Sequence, residues 1–174
     1  MFSICMLTYN NHDTFQRSLQ SMTQLLLDDR VCELIILDNG SHELSLRNLL
    51  HRTEKMYSKV KVCYSSENLG IAKGRKFLFD MCRGDYILSF DSDIVILDAN
   101  NLLTILIEAF KNKDLWLIGG GGGNHPYFPS LFREYIHNLK EADSPGKLTI
   151  VEEVAGWFHG FRSNMLVKNG GKVY

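Results

Sequence analysis

The sequence predicts an α/β fold in which a mostly parallel sheet is flanked by helices on both faces. Short apolar runs rich in branched and aromatic residues recur along the chain, and segments with helical spacing of apolar residues separate them. Polar residues stand just before the helical segments, as they do at helix starts. Because each helix carries the chain back across the sheet, strands that alternate with helices pair in parallel.

The predicted elements follow one another in alternation. The predicted strands are Phe2–Leu7, Cys32–Leu37, Val60–Tyr64, Tyr86–Phe90 and Leu115–Ile118. The predicted helices lie between them, on the apolar sets Phe15/Leu19/Met22/Leu26, Leu46/Leu49/Leu50, Phe77/Leu78/Met81 and Leu102/Leu103/Leu106/Phe110. Their predicted caps are Asp13-Thr14, Ser41-His42 and Asn100-Asn101.

The last third of the chain is less regular. Five consecutive glycines, Gly119–Gly123, predict a mobile loop or a hinge. Another strand is predicted at Thr149–Val154. The segment Gly156–Gly171 predicts a strand, then a short helix over Met165–Lys168, then a glycine cap.

Size and charge limit the function classes. A chain of 174 residues is expected to form one domain over residues 1–174. With 19 basic and 20 acidic residues the net charge is -1, so no broad positive field exists to bind nucleic acid. Neither the start of the chain nor Leu102–Phe110 has the pattern of a membrane-spanning or signal segment. We therefore expect a cytoplasmic protein without a transmembrane segment in this chain, with the cytoplasmic face of a membrane as an alternative place of action.

The cysteines and histidines do not predict a zinc site. Cys5, Cys32, Cys63 and Cys82 lie far apart and mostly within apolar runs, and the six histidines show no metal-ligand spacing. We expect four buried, reduced thiols that behave as small apolar side chains.

Polar and acidic residues follow the predicted strands. They form the segments Thr8–Asn10, Asp38–Ser41, Glu67–Gly70 and Asp91–Asp93. In sheets of this kind, ligands bind beyond the carboxyl ends of the strands, where loops and helix N-termini converge. The sequence therefore predicts a binding site at this edge.

The acidic pair Asp91 and Asp93 predicts a metal site. In an extended chain, residues two apart point the same way, so the two carboxylates would repel each other unless a cation lies near them. Oxygen ligands of this type favour Mg2+ or Mn2+, which bridges to a substrate diphosphate. In the alternative, one aspartate caps the turn and the other is solvated. Ile94 and Val95 exclude a helix-loop-helix calcium site.

Four blocks of the sequence resemble the N-terminal part of family 2 glycosyltransferases. The blocks are Ile4–Asn10, Glu33–Ser41, Glu67–Arg75 and Gly84–Asp93, in the family's order and at its usual spacing. The segment Gly156–Gly171 resembles the family loosely. The resemblance implies a Rossmann-like GT-A fold, with the nucleotide-sugar-binding part in residues 1–100 and a partial acceptor side in residues 101–174.

The resemblance also implies roles for ten residues. The nucleotide-sugar site would comprise Thr8, Tyr9, Asn10, Asp38, Asn68, Gly70, Arg75, Asp91 and Ser92, and the metal would be bound by Asp93 together with Asp91. Thr8, Tyr9 and Asn10 would hold the base, and Asp38 would accept a hydrogen bond from it. Arg75 would lie near the base or a phosphate, Asp91 would contact the ribose or the metal, and Gly70 would serve a tight turn.

Other roles stay open for three of these residues. Tyr9 could pack on its loop, Asp38 could cap the helix after Ser41, and Arg75 could be a solvated helix residue.

Three positions depart from the family pattern. Leu7 stands where the family often has proline, Gly74 where it often has alanine, and Lys76 where it often has asparagine. These departures leave the nucleotide open, and UDP is the first choice by resemblance.

The family's catalytic base has no clear counterpart. Inverting members need a carboxylate that takes the proton from the acceptor hydroxyl, and it follows a double glycine. Only three residues follow Gly170-Gly171 here, so we expect the general base beyond Tyr174 and a chain that is a fragment. Glu152, Glu153 and His159 are weaker candidates.

The predicted function is metal-dependent transfer of a sugar, with inversion, from a nucleotide-diphosphate sugar to an acceptor hydroxyl. The acceptor would be a glycan, a lipid-linked molecule or a protein, in polysaccharide or glycoprotein synthesis, and the chain could form homo-oligomers. One alternative is a donor-binding but inactive remnant of such an enzyme. A remote alternative is a haloacid dehalogenase-like phosphatase with Asp91 as nucleophile and Asp93 as acid, although that family places this motif on its first strand.

Overall fold

The computed structural model describes residues 1–113, 117–119 and 158–164. Several predictions lie outside these residues: most of the glycine run, the strand at Thr149–Val154, the helix near Met165 and the double glycine after it. Glu152 and Glu153 lie outside them as well.

The described residues form six strands and four helices. In chain order these are β1 (Phe2–Thr8), α1 (His12–Leu27), β2 (Val31–Asp38), α2 (Leu44–Met56), β3 (Val60–Tyr64), α3 (Gly70–Met81), β4 (Tyr86–Asp91), α4 (Ala99–Phe110), β5 (Leu117–Gly119) and β6 (Phe158–Arg162). The predicted alternation of strands and helices is confirmed, and so is a strand within the segment Gly156–Arg162.

The strands form one mixed sheet in the order β3-β2-β1-β4-β6-β5. β1 to β4 are parallel, and β6 is antiparallel to both of its neighbours. The sheet is therefore mostly parallel, as predicted, and β6 brings its first residues to the edge where β4 ends.

Both faces of the sheet are covered. Phe2, Ile4 and Met6 of β1 lie in a buried cluster with residues of α1, α2 and α4. Cys5 lies on the opposite face, in a cluster that includes Leu78 of α3. Because the central strands are buried on both sides, they are continuous apolar runs, as parallel strands usually are.

The helix starts differ from the predicted caps by one to three residues. α4 begins after Asp98, whose side chain accepts a hydrogen bond from the backbone N–H of Asn101 at 2.9 Å. α1 and α2 begin after Asn11 and Glu43, and neither residue caps its own helix through its side chain. The first N–H group of α1 is bound by the side chain of Glu43, and Asn10 binds the two residues that precede α2, as described below.

All four cysteines are free thiols, as predicted, but only Cys5 is buried, and Cys32, Cys63 and Cys82 are partly exposed. No helix in the described ranges has the length and apolar character needed to cross a membrane.

A closed polar network joins the amino ends of β1 and β2 to the chain after α3. We call it the Glu33 network; it comprises Ser3, Glu33, Arg83 and Gly84. The buried Glu33 carboxylate accepts hydrogen bonds from Ser3 Oγ at 2.6 Å, from the Arg83 backbone N–H at 2.7 Å and from Arg83 Nε at 3.0 Å. Gly84 donates its N–H to Ser3 Oγ at 2.7 Å.

The network also holds the charge of Glu33. Burial by itself would raise the pKa of this carboxyl, but the hydrogen bonds from Ser3 and Arg83 outweigh burial and hold the pKa below its ordinary value. Gly84 fits because it has no side chain, since a Cβ there would lie 2.6 Å from the backbone nitrogen of Ser3.

Candidate functional site

The carboxyl ends of three adjacent strands bring Thr8, Asp38 and Asp91 together. Thr8 of β1 is in register with Asp38 of β2, and Leu7 is in register with Asp91 of β4. Thr8 and Asp38 are buried, whereas the side chain of Asp91 is 42% exposed. The edge therefore has a buried inner part, with Thr8 and Asp38, and an exposed outer part, with Asp91.

Thr8 carries an unsatisfied hydroxyl. Its Oγ1 is buried and has no hydrogen-bond partner. A buried polar group without a partner costs about 1–3 kcal/mol, so native structures seldom keep one without a reason. A ligand that hydrogen-bonds this hydroxyl would remove that cost.

Asn10 links the loops after β1 and β2. It has a left-handed backbone, with φ 42°, and its Oδ1 accepts hydrogen bonds from the N–H groups of His42 at 2.8 Å and Glu43 at 3.1 Å. In return, Glu43 Oε2 accepts a hydrogen bond from the N–H of His12, the first residue of α1, at 3.2 Å. The two loops thus hold the starts of each other's helices, which is why the sequence predicted these caps wrongly.

Asp38 closes its own loop with one carboxylate oxygen and forms an ion pair with the other. Its Oδ1 accepts a hydrogen bond from the Ser41 N–H at 2.9 Å, and its Oδ2 lies 3.8 Å from Nε of Arg47. The Arg47 guanidinium lies 5.6 Å from the centre of the Tyr64 ring. Arg47 and Tyr64 were not predicted as site residues, because neither stands directly in a loop after a strand.

Two other predicted residues shape the start of α3. Asn68 Oδ1 accepts hydrogen bonds from the Gly70 N–H at 2.8 Å and from Asn39 Nδ2 at 3.0 Å. Gly70 has φ 74°, a left-handed backbone that favours glycine, so the predicted tight turn is present. Asn39 also accepts a hydrogen bond from the Leu69 N–H at 2.9 Å and was missed from the sequence.

Arg75 of α3 forms an ion pair with Asp91 through its guanidinium NH2 group. The Arg75 side chain is only 17% exposed, so it is not the solvated helix residue that the sequence left open. Tyr9, by contrast, is an exposed aromatic residue beside Thr8.

His159 reaches the same edge from β6, where it pairs with Ser89 of β4. Burial lowers the pKa of His159, the positive charge of Arg75 lowers it further, and Asp91 opposes them. The ring is half-buried.

The chain turns between Asp91 and Asp93. β4 ends at Asp91, Ser92 and Asp93 lie in a turn, and the Ile94 N–H donates to the Asp91 carbonyl at 3.4 Å. The expectation of an extended chain through the pair is therefore wrong. The turn lets Ile94 pack against the core, while the Asp93 side chain stays exposed. Ser92 Oγ accepts a hydrogen bond from Asn11 Nδ2 at 3.4 Å.

Asp91 and Asp93 suit a divalent cation that takes its remaining ligands from water and from substrate phosphates. Within the described part of the chain, no group of three or more His, Cys, Asp or Glu side chains is placed to hold a metal. Asp91 and Asp93 supply carboxylate oxygens, the donors that Mg2+ and Mn2+ prefer. Mg2+ commonly takes only one or two carboxylates and completes its coordination with waters and substrate phosphates.

Leu7 and Gly74, two of the three positions that depart from the family pattern, lie next to each other. A Cβ at Gly74 would lie 2.7 Å from Cδ1 of Leu7, so the larger side chain at position 7 stands where glycine leaves room at position 74. The third departure, Lys76, forms an exposed ion pair with Asp80 at 2.8 Å.

Comparison with known proteins gives both a family and relatives. Residues 3–166 match the family described as Glycosyl transferase family 2. A protein from Haemophilus influenzae described as uncharacterized is 30% identical over 142 residues, which cover 79% of this chain and 75% of the relative. An uncharacterized glycosyltransferase of Bacillus subtilis, YfnE, is 31% identical over 68% of this chain and 29% of its own length.

Solved structures show the same fold. The mannosyltransferase PcManGT from Pyrobaculum calidifontis, in complex with GDP-Man and Mn2+, is similar over 98% of this chain with a TM-score of 0.73 and 15% identity. TarS residues 1–349 from S. aureus, in complex with UDP-GlcNAc, is similar over 97% with a TM-score of 0.67 and 21% identity. The chain covers 46% and 47% of these two structures. The fold is the GT-A fold, and the chain belongs to glycosyl transferase family 2.

Proposed function

We propose that this chain binds the nucleotide-sugar donor of a glycosyltransferase at the carboxyl edge of its sheet, with UDP-sugar as the first candidate donor. The observation that carries the proposal is the register of Thr8, Asp38 and Asp91 at the ends of adjacent strands. The register brings an unpaired hydroxyl, a buried carboxylate and the first residue of the acidic pair to one edge. Two structural relatives are complexes with nucleotide sugars, one of which also contains Mn2+.

The inner part of the edge suits the nucleoside. Thr8 Oγ1 is a buried group without a partner, and one Asp38 oxygen is not hydrogen-bonded to Ser41. A base with N–H and carbonyl groups could satisfy both. Tyr9 is exposed next to them and offers an aromatic face. Asn10 and Asn68 hold the surrounding loops through their Oδ1 atoms, Asn68 by binding the Gly70 N–H, and these three residues would shape this part of the nucleotide site.

The outer part of the edge suits the diphosphate. Arg75 provides a guanidinium that can bind phosphate oxygens through two parallel hydrogen bonds, and Ser92 stands between Asp91 and Asp93 in the sequence. Asp93, with Asp91, would hold Mg2+ or Mn2+. When bound, the metal would neutralise charge on the diphosphate leaving group.

The remaining steps belong to the acceptor side. We propose that residues 1–100 bind the donor, that residues 101–174 contribute to the acceptor side, and that the general base lies beyond Tyr174. The reaction would transfer the sugar with inversion to a hydroxyl of a glycan, lipid-linked or protein acceptor, in polysaccharide or glycoprotein synthesis. The proposed place of action is the cytoplasm or the cytoplasmic face of a membrane.

Calorimetric titration tests donor binding. We expect UDP to bind with Mn2+ present, and we expect the Asp93→Ala variant to lose the metal-dependent part of the affinity, at least about tenfold for one metal ligand. Asp80→Asn is the matched control, because Asp80 is an exposed aspartate whose partner is Lys76. UDP-sugars, GDP and CDP in the same titration rank the nucleotides. Absence of binding by any nucleoside diphosphate, with or without Mn2+, would contradict the proposal.

A further inference from the structure

The Arg75–Asp91 ion pair occupies one of the two carboxylates that the proposed metal site needs. Arg75 extends from α3, and its guanidinium donates to Oδ1 of Asp91. Its side chain is largely buried, whereas Asp91 is open to solvent on its other side. A partly buried pair is screened less by solvent and salt than a fully exposed one, so its charges influence each other strongly.

The guanidinium changes the charge that a cation meets. Asp91 and Asp93 together carry two negative charges, and Arg75 cancels one of them. The structure shows no ion pair to the exposed carboxylate of Asp93 within the described residues. A divalent cation at this pair would also lie close to the positive guanidinium. Repulsion between a divalent and a monovalent cation about 6 Å apart weakens binding on the order of tenfold even in a water-like dielectric.

We propose that Arg75 makes metal binding at Asp91 and Asp93 depend on the nucleotide. Without nucleotide, the guanidinium stays on Asp91 and keeps the affinity for a divalent cation low. A nucleoside diphosphate supplies the negative charge that offsets the guanidinium, and it offers phosphate oxygens to which Arg75 can donate instead. Metal and diphosphate then bind as a unit. This inference rests on the proposed function and adds a regulation of the same site.

If Arg75 only positioned Asp91, its removal would change the metal affinity in the opposite direction. If the guanidinium served only to orient Asp91 toward the metal, its removal would weaken metal binding, as loss of a supporting hydrogen bond to a ligand does. If it repels the metal, its removal strengthens metal binding in the absence of nucleotide. The sign of one change in affinity therefore separates the two roles.

The test measures Mn2+ binding to the full chain by electron paramagnetic resonance, without nucleotide and then with UDP. We expect Arg75→Gln to bind Mn2+ about tenfold more tightly than the wild type without nucleotide. We also expect UDP to raise the Mn2+ affinity less in this variant than in the wild type. Arg75→Lys keeps the charge and should stay near the wild type. Arg52→Gln is the matched control, because Arg52 is an exposed arginine on α2 that contacts its own helix.

The outcomes are distinct. Unchanged or weaker Mn2+ binding by a folded Arg75→Gln protein overturns the inference, and so does an equal gain in Arg75→Lys, because that variant retains the charge. Arg75→Met serves as a second neutral variant if Arg75→Gln does not fold. If the wild type binds Mn2+ but no nucleoside diphosphate, the proposed function fails, whereas the effect of Arg75 on Mn2+ alone can still be read.

Discussion

The amino and carboxyl ends of β1 and β2 carry similar polar residues, but these residues differ in their hydrogen bonding. At the amino end, Ser3 of β1 and Glu33 of β2 are hydrogen-bonded to each other and to Arg83. At the carboxyl end of the same strands, Thr8 has no hydrogen-bond partner and Asp38 uses one oxygen for its own loop. A saturated network stabilises the fold, whereas unsatisfied groups at the other end remain available to a ligand.

The position of a cavity alone would favour the amino end of the strands over the proposed site. A cavity of about 370 Å3 lies at the amino end, lined by residues that include Glu33, Lys59, Lys61 and Arg83. The Glu33 carboxylate in this cavity is already hydrogen-bonded, and Lys59 donates to the Asp28 carbonyl at 2.8 Å. Glu33, Arg83 and Lys59 are thus used within the fold, and we propose the site at the carboxyl end on the chemistry of its side chains.

The largest effect on stability is expected from breaking the Glu33 network. Glu33→Gln removes the charge that accepts hydrogen bonds from Ser3 and Arg83 and should lower the free energy of unfolding by about 2–3 kcal/mol at pH 7. Urea denaturation followed by circular dichroism measures it. Glu108→Gln is the matched control, because Glu108 forms an exposed pair with Lys111, and it should change stability by less than about 1 kcal/mol.

The stability that Glu33 contributes should depend on pH in a defined direction. The folded pKa of Glu33 lies below its ordinary value of 4.5, so the network's contribution is present above about pH 4.5 and is lost as pH falls through the folded pKa. The difference between wild type and Glu33→Gln should therefore shrink below pH 4.5. A difference that stays constant down to pH 3 would show that the charge of Glu33 is not what stabilises this end.

Removing one hydroxyl at each end of β1 compares the two ends directly. Ser3→Ala deletes a hydroxyl that donates to Glu33 and accepts from Gly84, and should cost about 1–2 kcal/mol. Thr8→Val replaces a buried hydroxyl without a partner by a methyl group of similar size, so stability should be unchanged or should rise by up to about 1 kcal/mol. Thermal and urea unfolding measure both. Equal losses in the two variants would contradict the contrast between the ends.

The sheet could be predicted because its signal lies within each strand. Buried parallel strands are continuous apolar runs, and the loops after them hold the polar residues that the register brings together, Thr8, Asp38 and Asp91 among them. The order of the strands and the antiparallel direction of β6 depend on long-range pairing, which no local pattern encodes.

The features that sequence analysis missed depend on contacts between distant segments. Asn10 and Glu43 hold helices that are not their own, so the local cap pattern pointed to other residues. The turn after Asp91 depends on packing of Ile94, which overrides the expected extended chain. Glu33 stands in an apolar strand, and its network becomes visible only when Arg83 is placed beside it.

The smallest effect tests whether the carboxyl end can adjust its packing. A Cβ at Gly74 would meet the end of the flexible Leu7 side chain, so Gly74→Ala gains about 1 kcal/mol of helix propensity but loses part of it in displacing Leu7. Leu7→Val removes the δ-carbons, and in that background Gly74→Ala should stabilise more, with a coupling of about 0.5–1 kcal/mol. A double-mutant cycle by urea denaturation measures this. Additive changes would mean that the two side chains do not interact energetically, whereas coupling would show that glycine at position 74 accommodates leucine at position 7.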